Sequence, residues 1–227
     1  MDGKYVVYSG SKEIYHAMIP ALKSLLKNSS VDHVWLLTEG KFNYEVPDNV
    51  TVMDCSGLKD EYFNPYGPNM KTHFTWFAML RAALCFILPV DQVLSLDIDT
   101  ICVKNIDEIW DYELKDNYFS AVREPHRCRD GLIYTNIGVA MYNLKKLREG
   151  KAQEVLDVLN RQYFTFVDQD VFNYLCQGYI APMPSRFNVT RFTERCSTPS
   201  IIHYAGQSHW FSEPEYQVYN GMSWNEL

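Results

Sequence analysis

Short apolar runs recur along the chain and alternate with segments of a different spacing. The runs are only four or five residues long, which is typical of buried strands. They predict strands over residues 5–8, 34–37, 50–53, 92–96 and 138–141.

Several longer segments show the three-to-four-residue spacing of helices. Apolar residues recur in this way from Ile14 to Leu26, and Pro20 is expected to kink that helix. The turn-rich residues 62–69 predict a loop. Three further helices, of which the last is stopped by Gly178, are predicted over residues 73–86, 151–162 and 168–177.

Strands that alternate with helices predict an α/β fold with a mostly parallel central sheet flanked by helices. The length of 227 residues suits one domain of this kind, and no repeat or linker-like segment interrupts it. Ligands of open α/β sheets bind beyond the carboxyl ends of the strands. Functional side chains are therefore expected directly after apolar runs.

The composition is that of a globular protein with a packed core, with 47% hydrophobic and 22% charged residues. The net charge of −7 and the pI near 5.4 argue against a nucleic-acid partner. A bound divalent cation would still allow an acidic site to accept an anionic diphosphate.

The six cysteines are widely spaced: the nearest two, Cys85 and Cys102, are 17 positions apart, so no pair begins a zinc site. Several lie in apolar runs and are expected to be buried free thiols, as in a reducing compartment. The first residues lack the pattern of a signal peptide, and no apolar run approaches the roughly 18 residues of a membrane span. We expect a cytoplasmic protein without a transmembrane segment, and peripheral association with a membrane is left open.

Asp97 and Asp99 follow the apolar run 92–96 and are the first candidates for chemistry. In an extended backbone both side chains would point to one face and Ile98 to the other. Crowded carboxylates repel unless a cation neutralises them, and oxygen ligands suit Mg²⁺ or Mn²⁺. The alternative is a solvated junction between strand and loop, where aspartate is common.

A second apolar run, residues 201–206, contains His203 and ends at Gly206. Imidazole is a ligand that Mn²⁺ tolerates and that is less characteristic of Mg²⁺. A single histidine at a strand end is more often a structural residue, so this run alone is a weak signal.

Four blocks of the chain, in this order, resemble the family-8 retaining glycosyltransferases, which include glycogenin and lipopolysaccharide galactosyl- and glucosyltransferases. The blocks are LDIDTICVKNIDEIW, YTNIGVAMYNLKKLRE, DQDVFNYLCQG and IIHYAG, and the resemblance covers about residues 4–210. It implies a GT-A fold with a nucleotide-binding half, about 1–105, and an acceptor-side half, about 106–227. It also implies a UDP-sugar donor and Mn²⁺, with Mg²⁺ as the other candidate, held by Asp97, Asp99 and His203.

The same resemblance places Arg81 against the donor sugar, although an arginine in an apolar helix can also extend its head to solvent. Asn136 and Gly138 match a pattern beside the sugar pocket, where the amide would bind hydroxyls and the glycine would admit substrate. Their alternative is a plain turn that enters a strand. Further donor contacts are implied for Tyr8, Ser9, Ile98, Gly206 and His209.

Asp168, Gln169 and Asp170 open a predicted helix. The resemblance gives Asp168 the donor-sugar hydroxyls and puts Gln169 near the anomeric carbon, both as catalytic candidates. Asp170 is a second candidate for the role of Asp168. Capping of free N–H groups is the alternative explanation for either aspartate.

Two positions depart from the family pattern. The loop after the first strand, at Ser9 and Gly10, lacks the usual acid that contacts the nucleobase. His209 stands where the family has a lysine on the diphosphate, and it carries less charge at neutral pH.

The segment 123–129 contains three arginines and a histidine within an acidic protein. It is a candidate for contact with an acidic or phosphorylated acceptor, and a solvated loop is an equally good explanation.

The function that these observations favour is retaining, Mn²⁺-dependent transfer of a hexose of glucose or galactose type. The donor would be a UDP-sugar and the acceptor a glycan, a lipid-linked sugar or a protein hydroxyl. The alternatives are a metal-dependent nucleotidyltransferase, although the chain lacks a Gly-rich basic loop, and a sugar-nucleotide-binding protein without turnover.

Overall fold

A twisted seven-stranded sheet forms the centre of the computed structural model, which describes residues 3–72 and 74–227. A second, two-stranded sheet lies beside its edge. In chain order, the strands of the described residues are β1 (Tyr5–Ser9), β2 (His33–Thr38), β3 (Val50–Asp54), β4 (Gln92–Leu96), β5 (Thr100–Cys102), β6 (Phe119–Arg123), β7 (Thr135–Asn143), β8 (Ile180–Pro182) and β9 (Ile201–His203).

The central sheet has the order β3-β2-β1-β4-β7-β6-β8 and is mostly parallel. Only β7 runs against its neighbours β4 and β6. Residues of β1 alternate between two cores: Val7 packs on one face of the sheet, and Val6 and Tyr8 pack on the other. The predicted α/β class with a mostly parallel sheet is confirmed, and each of the five predicted strands is present.

Helices cover both faces of this sheet. Among the described residues they are α1 (Tyr15–Asn28), α2 (Leu58–Tyr62), α3 (Trp76–Met79), α4 (Leu84–Ile87), α5 (Leu144–Lys146), α6 (Ala152–Arg161), α7 (Val167–Leu175) and α8 (Pro214–Asn220). The face with Val7 packs against α3 to α7, whereas the face with Val6 packs against α1. Gly178 follows α7 with φ 80°, as expected of a residue that ends a helix.

The prediction of one helix over residues 73–86 is wrong in detail. Position 73 lies outside the described residues, and the rest forms α3, a tight 3₁₀ turn over Leu80–Ala83, and α4. Apolar spacing does not distinguish three-residue turns from 3.6-residue turns, so the sequence pattern could not show the break. The tight turn carries Arg81, which is buried beneath the sheet edge.

Pro20 does not end α1, which continues to Asn28. Proline cannot donate a hydrogen bond to the carbonyl four residues earlier, that of His16. The hydroxyl of Tyr216, on α8, donates to this carbonyl instead at 3.4 Å. The contact compensates the proline and joins α8 to α1.

The topology brings several chain segments to one edge of the sheet. The carboxyl ends of β1 and β4 lie there, and antiparallel β7 begins at the same edge because its direction is reversed. Strand β9 pairs with β5 so that His203 is opposite Thr100, just after the two aspartates. The predicted division into halves near residue 105 stays a prediction, and the β4–β7 pairing crosses it.

The cysteines of the described residues are all free, and four of them are buried, namely Cys55, Cys85, Cys102 and Cys176. Burial raises the pKa of Cys85 to about 11, as expected of an inert thiol. Within the described residues, no helix combines the length and the apolar character needed to cross a bilayer. The cytoplasmic location stays a prediction.

Candidate active site

Two carboxylates and one imidazole converge at the end of β4. His203 Nε2 lies 3.2 Å from Asp99 Oδ1 and 3.6 Å from Asp97 Oδ2. The backbone from Asp97 to Asp99 is a turn, not the extended strand assumed from the sequence. Thr100 closes the turn, since its hydroxyl and its amide both donate to the Asp97 carbonyl, at 2.6 and 3.2 Å.

This donor set fits a single divalent ion. The three ligand atoms lie within 4.8 Å of one another. Adjacent ligands of an octahedral ion bound at about 2.1 Å stand about 3.0 Å apart, and opposite ligands about 4.2 Å. Two carboxylates with one imidazole suit Mn²⁺ better than Mg²⁺, because nitrogen is a less characteristic ligand of Mg²⁺.

A directional chain of hydrogen bonds orients the His203 ring. The Glu124 carboxylate accepts from Asn136 Nδ2 at 2.8 Å, which leaves Asn136 Oδ1 to accept from Asn188 Nδ2 at 2.9 Å. Asn188 Oδ1 then faces His203 Nδ1 at 2.9 Å and accepts its proton. The lone pair of Nε2 is therefore directed at the two carboxylates, as metal ligation requires.

Asp97, Asp99 and His203 form a triad whose charges stabilise one another. Burial lowers the pKa of His203, but Asp99 and Asp97 oppose this effect and raise the pKa above its ordinary value. Burial raises the pKa of Asp99, but His203 and the backbone bring it below its usual range. Each charged group of the set therefore favours the charged form of its neighbour.

Arg81 is buried and joins the triad to α7. Its guanidinium lies 3.0 Å from Asp97 Oδ1 and 2.8 Å from Asp168 Oδ2, and it donates to the Ile137 carbonyl at 2.7 Å. Burial raises the pKa of Asp168 to about 6, an effect that Arg81 moderates and Asp97 reinforces. The alternative that Arg81 extends its head to solvent is therefore excluded. Arg81 is an ion-paired group within the site.

The structure separates the two aspartates at the start of α7. Asp170 accepts from the Phe166 amide at 2.8 Å and from the Tyr134 hydroxyl at 2.5 Å, so it has the capping role. Asp168 points inward to Arg81 and is 2% exposed. Val167 between Phe166 and Asp168 has φ 29°, a strained value for a β-branched residue, and this strain accompanies the inward turn.

The Gln169 side chain bridges the backbone of β7 and the hydroxyl of Tyr134. Its side-chain oxygen accepts from the Ile137 amide at 3.3 Å, and its nitrogen donates to the Tyr134 hydroxyl at 3.1 Å. The amide is thus held at the cleft surface by two partners.

Gly138 is required for a reason that differs from the sequence argument. A Cβ at this position would lie 2.1 Å from His203 Cε1 and 2.7 Å from Asp97 Oδ2. The space that a side chain would need at this position is filled by the site's own side chains, and Gly138 also lines a cavity together with Arg81. Asn136 is also committed: its oxygen accepts from both Asn188 and the Gly138 amide, so it orients the site and is not free to accept from hydroxyls.

Two cavities meet at these residues. The first, of about 330 Å³, is lined by Ser9, Ile98, Arg81, Asp168 and Trp210 among others. The second, of about 490 Å³, shares Asp97, Asp99 and Gln169 with the first and extends to Arg127, Arg191, Phe192 and Gly206.

Two expected donor contacts are not supported by the structure. The Tyr8 side chain is fully buried and donates to the Ala21 carbonyl at 3.4 Å, because alternation along β1 directs it into the core. His209 is exposed and lies edge-on to Phe211. Its neighbour Trp210, and not His209, is among the described residues that line the first cavity. The remaining predicted contacts, Ser9, Ile98 and Gly206, do line the cavities.

Sequence reasoning missed Asn188 and the structural role of Glu124. Asn188 lies in an irregular segment without a motif, so nothing local marked it. Glu124 was visible only as an acid within a basic segment.

Comparison with known proteins gives concordant results. Residues 5–211 match the profile of the family described as Glycosyl transferase family 8. Glycosyltransferases GlyE and GlyA of Streptococcus pneumoniae are 23% and 26% identical over 81% and 69% of this chain. The matches cover 47% of GlyE and 25% of GlyA, so the chain spans half or less of the length of these curated relatives.

Among solved structures, galactosyltransferase LgtC aligns with a TM-score of 0.74 at 20% identity, over 96% of this chain and 95% of LgtC. The structure of GlyE aligns with a TM-score of 0.73 at 20% identity, over 99% of this chain and 62% of GlyE. At this identity the likeness shows a shared fold, and it confirms the predicted GT-A architecture.

Proposed function

Since the chain belongs to glycosyltransferase family 8, we propose that it transfers a hexose from a UDP-sugar to a hydroxyl acceptor with retention of configuration. The acceptor would be a glycan, a lipid-linked sugar or a protein. The observation that carries the proposal is the convergence of Asp97, Asp99 and His203 with the Arg81–Asp168 pair at the meeting point of two cavities.

Asp97, Asp99 and His203 would hold Mn²⁺. When bound, the ion would supply positive charge against the diphosphate of the leaving nucleotide. The chain's own contribution is to fix the geometry: Thr100 closes the aspartate turn, and Asn188 directs the imidazole.

The first cavity suits the donor. Ser9 and Trp210 line its outer part, and Trp210 offers an aromatic face to a base. Asp168, at its inner end, would accept hydrogen bonds from hexose hydroxyls while Arg81 balances its charge. That LgtC is a galactosyltransferase supports a hexose donor.

In the proposed reaction an acceptor hydroxyl oxygen bonds to C1 of the donor sugar, on the face from which the diphosphate departs. The bond from C1 to the β-phosphate oxygen breaks with its electron pair going to that oxygen, which also receives the hydroxyl proton. The transition state resembles an oxocarbenium ion. We favour this same-face route because Asp168 is paired with Arg81 and Gln169 is an amide, which is a weak nucleophile.

The test is release of UDP from a panel of UDP-sugars with Mn²⁺, with and without acceptors. We expect release from at least one UDP-hexose and a loss of at least about 100-fold in the double variant Asp97→Asn/Asp99→Asn. The control Asp48→Asn/Asp60→Asn removes the same charge from exposed positions away from the cavities and should retain activity.

Each of the two alternative functions predicts a different outcome of this assay. Pyrophosphate release would indicate a nucleotidyltransferase, and tight UDP-sugar binding without release would indicate a binding protein. Unchanged UDP release in the Asp97→Asn/Asp99→Asn variant would refute the site.

A further inference from the structure

The second cavity has a wall of stacked arginines that the transfer mechanism does not use. Arg127 follows β6, and Arg191 lies in the segment between β8 and β9. Each guanidinium lies over a phenylalanine ring, Arg127 over Phe166 at 4.0 Å and Arg191 over Phe192 at 4.7 Å. Two chain segments thus present cations to one cavity beside the triad.

The charge of Arg127 is balanced. Its Nε lies 3.0 Å from Oε2 of Glu124, which is buried. The other oxygen of Glu124 accepts from Asn136. Arg127 therefore belongs to the framework that orients His203, and it carries little net charge toward a ligand.

Arg191 has no such partner. Its Nη2 donates to the Gly206 carbonyl at 3.1 Å, and no carboxylate of the described residues lies within ion-pair distance of it. The guanidinium is exposed and keeps further N–H donors for a ligand. Of the described basic side chains that line this cavity, Arg191 is the one without a carboxylate partner.

The segment that carries Arg191 is held in place. Thr190 Oγ1 accepts from the amides of Phe192 and Thr193, at 2.9 and 3.1 Å. Thr193 Oγ1 donates to the carbonyl of Asn188 at 2.8 Å. The backbone that carries Arg191 is thereby tied to Asn188, the residue that orients His203.

The basic segment 123–129 meets this loop at the cavity mouth. The ring of His126 lies 6.1 Å from that of Phe192, with 36° between their planes. Both segments therefore contribute to the rim of the second cavity, whereas Ser9 and Trp210 line the first.

We propose that the acceptor is an anionic sugar, bearing a carboxylate or a phosphate that Arg191 binds at the mouth of the second cavity. The planar guanidinium fork matches either group in a two-point contact. This inference rests on the proposed function, in which the first cavity takes the donor, and it adds that the second cavity takes the acceptor. Arg191 would act as a specificity-determining residue.

The test measures binding without requiring turnover. Glucuronate and glucose 6-phosphate are compared with glucose, and galacturonate and galactose 6-phosphate with galactose, by isothermal titration calorimetry in the presence of Mn²⁺ and UDP. We expect at least one anionic sugar to bind at least 10-fold more tightly than its neutral parent. The uronate and phosphate arms distinguish the two sources of charge.

The variants test whether Arg191 carries the preference. In Arg191→Gln the ratio of anionic to neutral affinity should fall at least 10-fold, and in Arg191→Lys it should fall less. Arg195→Gln, which removes a charge from an exposed position four residues away, should leave the ratio unchanged. Where UDP release is measurable, the ratio of kcat/KM for the two acceptor types should follow the same order.

Three results would overturn the inference. The first is equal binding of neutral and anionic sugars by the wild type, and the second is a preference that survives in Arg191→Gln. The third is weaker UDP binding in Arg191→Gln with an unchanged sugar ratio, which would assign the arginine to the donor diphosphate. Anionic-sugar binding without UDP release would refute the transferase proposal and leave the anion site standing.

Discussion

Replacing Gly138 by alanine is the smallest change that should dismantle the triad. The new Cβ would lie 2.1 Å from His203 Cε1 and 2.7 Å from Asp97 Oδ2. Ordinary carbon–carbon contacts are about 3.5–4.0 Å, so the overlap with the ring exceeds about 1 Å.

Neither side of this contact can yield freely. The Gly138 amide donates to Asn136 Oδ1 at 3.1 Å, and its carbonyl accepts from the Asp97 amide at 2.7 Å. The His203 ring is buried, and its Nδ1 is held by a hydrogen bond to Asn188. Overpacking of this kind costs about 1–3 kcal/mol of the free energy of unfolding. Displacement of the imidazole should weaken Mn²⁺ binding by at least about 10–100-fold, the loss that even an outer partner of a metal ligand causes.

The assay is titration of Mn²⁺ into Gly138→Ala, alone and with UDP, together with urea unfolding. The matched control is Gly57→Ala, which adds the same methyl group where φ is −73° and no atom lies within 4 Å. The control should bind Mn²⁺ as the wild type does and keep its stability. Wild-type Mn²⁺ affinity and stability in Gly138→Ala would show that the ring does not occupy this position.

Two further changes probe the partners of the triad. Arg81→Met should lower the free energy of unfolding by about 3–5 kcal/mol, because it leaves the buried Asp168 unpaired, and Arg81→Met/Asp168→Asn should recover part of the loss in urea unfolding. Burial holds the folded pKa of Asp168 above its unfolded value, and Arg81 lowers it, so loss of Arg81 raises this pKa beyond about 6. A carboxyl of this kind destabilises the fold as the pH rises from its unfolded to its folded pKa, and in Arg81→Met this loss continues to higher pH, so the deficit should be larger at pH 8 than at pH 5. Asn188→Ala should weaken Mn²⁺ binding by about 10–100-fold, since the His203 ring loses its orienting acceptor, and an unchanged affinity by calorimetry would contradict that role.

Residues near one another in the sequence supplied the predictions that the structure confirms most fully. The runs at 5–8 and 92–96 are β1 and β4, since continuous apolar stretches of this length suit a strand buried on both faces. Strands β5 and β8 have only three residues each, too few for any periodicity to register, and they were missed. The five-residue strand β6 was also missed.

Some residues of the candidate site could be predicted from the sequence and others could not. The spacing of Asp97 and Asp99 made the pair a candidate metal site, with a solvated junction as the alternative, whereas His203 lies more than 100 positions away, and only the family resemblance linked it to them. The burial of Asp168 and the capping role of Asp170 follow from the inward turn at Val167, which no residue pattern announces. Tyr8 was misplaced because the direction of a side chain on β1 depends on the sheet's packing, not on its position in a motif.

Long-range hydrogen bonding was the least accessible feature. The hydrogen-bond chain from Glu124 through Asn136 and Asn188 to His203 joins four residues from four segments. The sequence marked Asn136 and His203 but not their connection, and only the tertiary fold gives the set a direction.

A crystal grown with Mn²⁺ and UDP, with diffraction recorded at the manganese absorption edge, would test the central assignment most directly. The account predicts one anomalous peak about 2.2 Å from an oxygen of each aspartate and from His203 Nε2, with Asn188 still bonded to Nδ1. A peak elsewhere, or a bound UDP with the three side chains apart and sharing no ion, would contradict it.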